Sequence, residues 1–193
     1  MFLSGAGWLS FLATIVVYGY ISQFWLELIR AEANGDEGML DPQLDWEGLF
    51  HGFLMIFLAL PVVLFGPGFI ASLMDAPLAA VILWGIGMFL TPMALVAIAL
   101  YDSGSALNPL FLAPSIMRSF IPYIGLCLLL APLVAAMIFF DQLFLEPLRA
   151  GGTLSFPLLV LVARGVFQLY LLWVAGRLLG GFYRLHEHTL GWS

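Results

Sequence analysis

The chain is 193 residues long, 63% hydrophobic and 9% charged, with six basic and twelve acidic side chains giving a net charge of −6. A soluble domain is about a quarter charged, so this composition excludes a water-facing shell, and the acidic balance excludes the basic face that nucleic acid requires. A mean hydropathy of +1.06 makes lipid the solvent for most of the surface.

Five long apolar stretches, 8–29, 49–74, 77–100, 121–140 and 156–176, organise a chain read as one transmembrane domain over 1–193. Each reaches the roughly 20 residues a helix needs to cross a bilayer core about 30 Å thick. A membrane β-barrel would alternate in segments of about 10 residues. Continuous runs twice as long predict an all-α, polytopic helical bundle of about five crossings. The first stretch lacks a basic n-region and a small-residue cleavage site, so it reads as a retained helix and not a leader.

The 30–48 gap is acidic, with Glu32, Asp36, Glu37, Asp41, Asp45 and Glu47 around turn-forming Asn34, Gly35 and Pro42. Their spacing does not fit the calcium loop of an EF-hand, so a solvated loop is expected. His51 follows, within reach of Asp45 or Glu47 for a metal, although a lone histidine at a helix start is more often interfacial. In the second stretch, Gly66-Pro67-Gly68 marks a place where the helix either breaks or begins a re-entrant turn. Only Asp75 and Ala76 separate the second and third stretches, which predicts a tight hairpin.

Asn108, Pro109 and Pro114, then Ile116, Met117 and Phe120 around Arg118, predict a short amphipathic piece lying in the interface before the fourth crossing. A faint internal repeat accompanies it: lead-ins at 46–50 and 116–120 each precede an apolar run with a proline, Pro61 or Pro132. The 141–155 gap holds Glu146, Arg149 and the Gly151-Gly152 break. Past 176, Arg177, Gly181, Arg184 and His188 share one helical face, and Leu178, Phe182 and Leu185 another. Residues 177–193 therefore read as a cytoplasmic amphipathic tail, with Arg177, Arg184 and the upstream Arg118 as candidate contacts to phosphate headgroups. His186 and His188 are metal-ligand types, but neighbours two apart on a helix point to nearly opposite faces.

All six basic residues are arginines. With five crossings, Arg30, Arg118, Arg177 and Arg184 fall on one side and Arg149 on the other. The positive-inside rule then places the chain in the cytoplasmic (inner) membrane with its N-terminus outside and its C-terminus in the cytoplasm. Pro61, Pro92 and Pro132 lie inside crossings and read as kinks. Gly85, Gly87 and the pair Gly176 and Gly180 read as places where helices approach closely. Cys127, the single cysteine, reads as a small core residue.

Arg164 stands out inside the fifth stretch, about 12 Å from its start and close to the bilayer midplane. An unpaired arginine there costs about 2.5–3.5 kcal/mol on insertion scales, so a partner or a watered cavity is expected. Gln168 lies one turn on, on the same face, and Asp75 and Asp141 are the candidate partners. Either Arg164 ties two helices together through one of these acids, or Arg164 and Gln168 line a polar path. The sequence favours the tie.

The stretch YGYISQFWLELIRAEANGDEGMLDPQLDWEGLFHGFLMIFLALP, and later NPLFLAPSIMRSFIPYI, carry a family likeness. Gly19-Tyr20, Ile29-Arg30, Asp45-Trp46, Leu49-Phe50 and Gly52 occupy hallmark places, although Pro42-Gln43-Leu44-Asp45-Trp46 stands where the hallmark is Pro-x-Trp. In these segments the chain resembles the prokaryotic membrane proteins grouped as domain of unknown function 4013. The resemblance implies a helical membrane fold and assigns no activity. The chain shows no nucleophile–base pair, zinc signature, glycine-rich phosphate loop or haem-ligand pair within a crossing, so no enzyme, cofactor or metal is expected. The expected function is a non-enzymatic accessory, assembly or lipid-organising subunit with membrane lipids and other membrane subunits as partners. The alternative is a small transporter or channel at Arg164 and Gln168.

Overall fold

The computed structural model describes residues 5–36, 46–149 and 157–192. Glu37, Asp41, Asp45 and the Gly151-Gly152 break, on which several expectations turn, lie outside the described residues. In chain order the elements are α1 (Gly5–Asn34), α2 (Trp46–Leu54), a π-helical turn (Met55–Ala59) and α3 (Leu60–Leu73). There follow α4 (Pro77–Tyr101), a 3₁₀ turn (Gly104–Leu107), α5 (Pro109–Arg118), α6 (Phe120–Arg149) and α7 (Pro157–Leu190). No strand occurs among the described residues, and five helices are long and apolar enough to cross a membrane. The all-α helical bundle is as expected.

The second crossing does not break at Gly66-Pro67-Gly68. α3 runs through Pro67 to Leu73, with Gly68 set against the Trp84 ring of α4. The irregularity falls one proline earlier. Pro61 has no N–H and its ring crowds the carbonyl four residues back. The wider π-helical turn over Met55–Ala59 precedes it, the kind of local adjustment that absorbs such a defect in a membrane helix. Near Pro92, the hydroxyls of Thr91 and Tyr123 donate to the Gly87 and Phe89 carbonyls, so α4 passes its proline with nearby acceptors engaged.

α3 and α4 form the expected hairpin. Asp75 takes a left-handed conformation (φ 54°) in its turn, and the Ala76 N–H donates to the Ala71 carbonyl at 3.0 Å. Gly87 lets the two backbones close, since a Cβ there would stand 2.5 Å from the Leu64 carbonyl oxygen. From Met93 to Ala99 every residue of α4 is buried. This stretch of α4, buried all round, is the centre of the bundle, and Leu26, Ile29, Leu112, Tyr123, Leu179 and Phe182 belong to the same core.

Two boundaries differ from expectation. α6 continues past 140 to Arg149, and α7 continues past 176 to Leu190. The apolar run marks what lipid can cover, whereas the helix ends where its backbone ladder ends, and Glu, Arg and Leu are good helix formers. The 177–193 segment is thus no separate tail: Leu179, Phe182, Tyr183 and Leu190 are buried in the bundle. α5 is the amphipathic piece foreseen before the fourth crossing, capped by Asn108, whose Oδ1 accepts from the Leu110 N–H at 3.0 Å. It buries Leu112, Ser115 and Ile116 and leaves Leu110 and Met117 outside.

Trp192 closes the end of the bundle. Its indole N–H donates to Ser115 Oγ at 2.5 Å, its carbonyl accepts from the Tyr101 hydroxyl at 2.8 Å, and its ring stacks on Phe111 at 5.4 Å.

Candidate functional site

α1 and α7 run side by side in the same direction. The Trp25 indole N–H donates to the Leu172 carbonyl at 2.8 Å, Gly176 lies under Leu28, Gly180 under Glu32, and Gly35 beside Arg184. The contacts rise together along both helices, as first and fifth crossings must. Gly176 and Gly180 make this possible: a Cβ on Gly180 would stand 2.6 Å from the Ile29 carbonyl oxygen. The packing role expected of their spacing is met, and the partner is α1.

That register gathers the charged side chains at one end. Glu32, only 18% exposed, accepts from Arg177 at 3.3 Å and from Arg184 at 3.4 Å. The Arg177 guanidinium also lies 4.9 Å from the centre of the Trp173 ring. The Arg118 guanidinium lies against Gly191, over the carbonyl end of α7, where a cation is favoured. These three arginines, expected at headgroups, are thus each anchored on the protein as well. Arg177 and Arg184 keep about half their side-chain surface exposed.

A polar constellation lies at the same end, in a cleft of about 420 Å³ between α1, α2 and the end of α4. Arg30 stands at its centre. Its Nε donates to the Ala99 carbonyl at 2.7 Å, its Nη1 reaches Glu27 at 3.1 Å, and its Nη2 lies 3.9 Å from Asp102. His51 Nε2 lies 3.2 Å from the same Asp102 oxygen. Gln23 and Glu47 complete the polar lining. Asp102 reaches into the group because it ends α4 in a left-handed conformation (φ 49°), which Asp tolerates better than most residues. The α1–α2 crossing that holds Arg30 and His51 in place depends on Gly19, packed on the Leu49 carbonyl, and on Gly52, packed on Gln23.

The sequence passes over most of this cleft. Glu27 lies inside the first apolar stretch, so Arg164 is not the lone charge within a crossing. Asp102 pairs with His51, whose expected partners were Asp45, outside the described residues, or Glu47. One signal was available: with alternating crossings, the ends of the first and third share a face, which brings Arg30 and Asp102 together. Chemically the cleft joins three carboxylates, a guanidinium and an imidazole, a mixed-sign surface for a small polar or zwitterionic group. No group of three or more His, Cys, Asp and Glu side chains placed to hold a metal is found among the described residues.

The expected intramembrane residues are elsewhere. Arg164 and Gln168 are half-buried on α7, and Arg164 is engaged. The α1–α7 register sets Arg164 level with Val16, near the middle of the 8–29 stretch. On the other side, Phe140 stacks on Phe167 at 4.8 Å, which brings position 141 of α6 within about a turn of that level. The Asp141 side chain lies outside the described residues. Asp75 is exposed in the α3–α4 turn.

Fold and site together define an all-α membrane protein that gathers Glu27, Arg30, Glu32, His51, Asp102, Arg177 and Arg184 at one end of the bundle. Comparison with family models, curated proteins and solved structures finds no match to this chain.

Proposed function

We propose that this chain is a non-enzymatic subunit of a membrane assembly, one that packs against other membrane subunits and organises lipid around them. The observation that carries the reading is how the charges are used. Arg30, His51 and Asp102 connect α1, α2 and the end of α4, with Glu27 pairing with Arg30 within α1, and Glu32, Arg177 and Arg184 connect α1 to α7. Ionisable side chains in such positions serve here as ties between helices. Around this clamped half, α6 is thinly covered: 11% of its span is buried, against 39% for α4. Purification of the full chain in mild detergent tests the reading. Co-purifying membrane subunits are expected; a strictly monomeric protein carrying neither partner nor lipid overturns it.

The chain sits in the cytoplasmic membrane with its N-terminus outside. The gathering of Arg30, Arg118, Arg177 and Arg184 at one end supports the orientation, since that end is then the cytoplasmic one. Reporter fusions check it: a periplasm-active enzyme should work at residue 1 and fail after residue 193.

The alternative is a small transporter or channel with a polar path at Arg164 and Gln168. The half-buried placement of Arg164 and Gln168 one turn apart on α7 supports it. Flux through reconstituted protein that is abolished by Arg164→Leu would replace the scaffold reading.

A further inference from the structure

We propose that the groove between α6 and α7 is a binding site for one anionic phospholipid. This rests on the reading that the arginine end of the bundle lies at a membrane surface, and it names the lipid that the subunit would organise. The groove has a volume of about 600 Å³, within the range of small-molecule sites. Leu126 and Leu129 of α6 and Phe182 and Leu185 of α7 line it. Gly125 and Gly181 leave it open, because a Cβ at either would meet no heavy atom within 4 Å. Deeper along the same seam the helices touch, through Phe140 and Phe167. A slot lined by leucines, closed deeper down by Phe140 and Phe167 and bordered by Arg177, has the apolar length and charged margin that suit an acyl chain with an anionic head.

The charge at the groove selects the headgroup. Arg177 and His186 are its two ionisable lining residues. Arg177 and Arg184 share the single carboxylate of Glu32, so this trio keeps a net positive charge beside the groove. The His186 ring stacks on Phe182 at 4.7 Å and its Nδ1 lies 2.9 Å from the Phe182 carbonyl. A carbonyl only accepts, so Nδ1 carries the proton, and in the neutral ring Nε2 is an acceptor that suits a hydroxyl of the headgroup, which leaves Arg177 to meet the phosphate. A guanidinium beside an apolar slot at the membrane surface matches a phosphate with an acyl chain below it, as basic pockets between membrane helices do generally.

The test is native mass spectrometry of the full chain in nanodiscs of equal parts phosphatidylcholine and phosphatidylglycerol. One tightly retained phosphatidylglycerol is expected. Arg177→Gln should lower the preference for phosphatidylglycerol about fivefold, the effect of one Arg near an anionic membrane surface, while a lipid is still retained. Gly181→Leu fills the groove from α7 and should remove the retained lipid, and Gly125→Leu fills it from α6 should the first variant fail to fold. Equal retention of the two lipids by the parent chain, or unchanged retention in a folded groove-filled variant, overturns the proposal. So does a protein segment found in place of the lipid. Co-purification of other subunits is scored separately: a chain that keeps phosphatidylglycerol but no partner sinks the assembly reading and leaves this site standing.

Discussion

α7 faces α1 and α6 through glycines one residue apart, and the two seams differ in kind. Gly180 faces α1, where backbone meets backbone and any side chain would collide with the Ile29 carbonyl and Glu32. Gly181, about 100° further round the helix, faces α6 across open space. The first glycine is needed for contact, and the second leaves a gap. Glycine content alone therefore says little about how tightly a membrane helix packs; the face on which each glycine falls decides it.

The sharpest way to break this comparison is Gly180→Leu. Its Cβ would stand 2.6 Å from both the Ile29 carbonyl oxygen and the Glu32 Cβ. Ordinary overpacking costs about 1–3 kcal/mol, and here backbone is in the way, so a cost at or above that range is expected. Thermal unfolding in detergent should show a large fall in Tm or loss of the folded species. A Tm equal to that of Gly181→Leu would end the distinction between the seams.

Trp192→Ala comes next, at about 2 kcal/mol, since it removes a bond to Ser115, stacking on Phe111 and contact with Tyr183. It asks whether the end of α7 is held by this plug as well as by the glycine seam. If the plug matters, limited proteolysis of the variant should cut near residue 190 well before the parent is cut. Glu32→Gln is smaller. It leaves Arg177 and Arg184 without their carboxylate, but both are half exposed, so a loss of up to about 1 kcal/mol is expected. The deficit should shrink as salt is raised, because screening weakens the pair in the parent. A loss that ignores salt would mean that Glu32 acts by packing alone.

The membrane class, the five crossings, the Asp75 hairpin, the amphipathic piece around Arg118 and the packing role of Gly176 and Gly180 were all legible in the sequence. Each is a local signal, set by the length of an apolar run or the spacing of a few residues. The helical faces past 176 were legible, but their packing into the bundle was hidden, because composition reports lipid exposure and the buried Phe182 and Tyr183 are covered by protein. The cleft was hidden for a different reason. Arg30, His51 and Asp102 come from three separate elements, and only the topology of alternating crossings puts them at one end. Arg164 drew attention because it is conspicuous along the chain, while the denser polar cluster formed from residues that look ordinary one at a time.

Gly181→Ala tests the comparison from its gentler side, and its expected sign is opposite. The new methyl group meets nothing within 4 Å, so no packing is lost. Alanine in a helix interior is favoured over glycine by about 0.5–1 kcal/mol, because the unfolded chain has less freedom to give up. In delipidated protein the variant should therefore melt slightly above the parent, while Gly180→Ala, one residue earlier, has to offset the same gain against a collision. If both alanine variants raise the Tm, α1 and α7 can separate at little cost, and the tight seam is a contact of convenience. With the lipid retained, the gain from Gly181→Ala should shrink or reverse, because the new methyl group then meets the lipid in the α6–α7 groove; the same gain with and without lipid would mean that the groove stays empty.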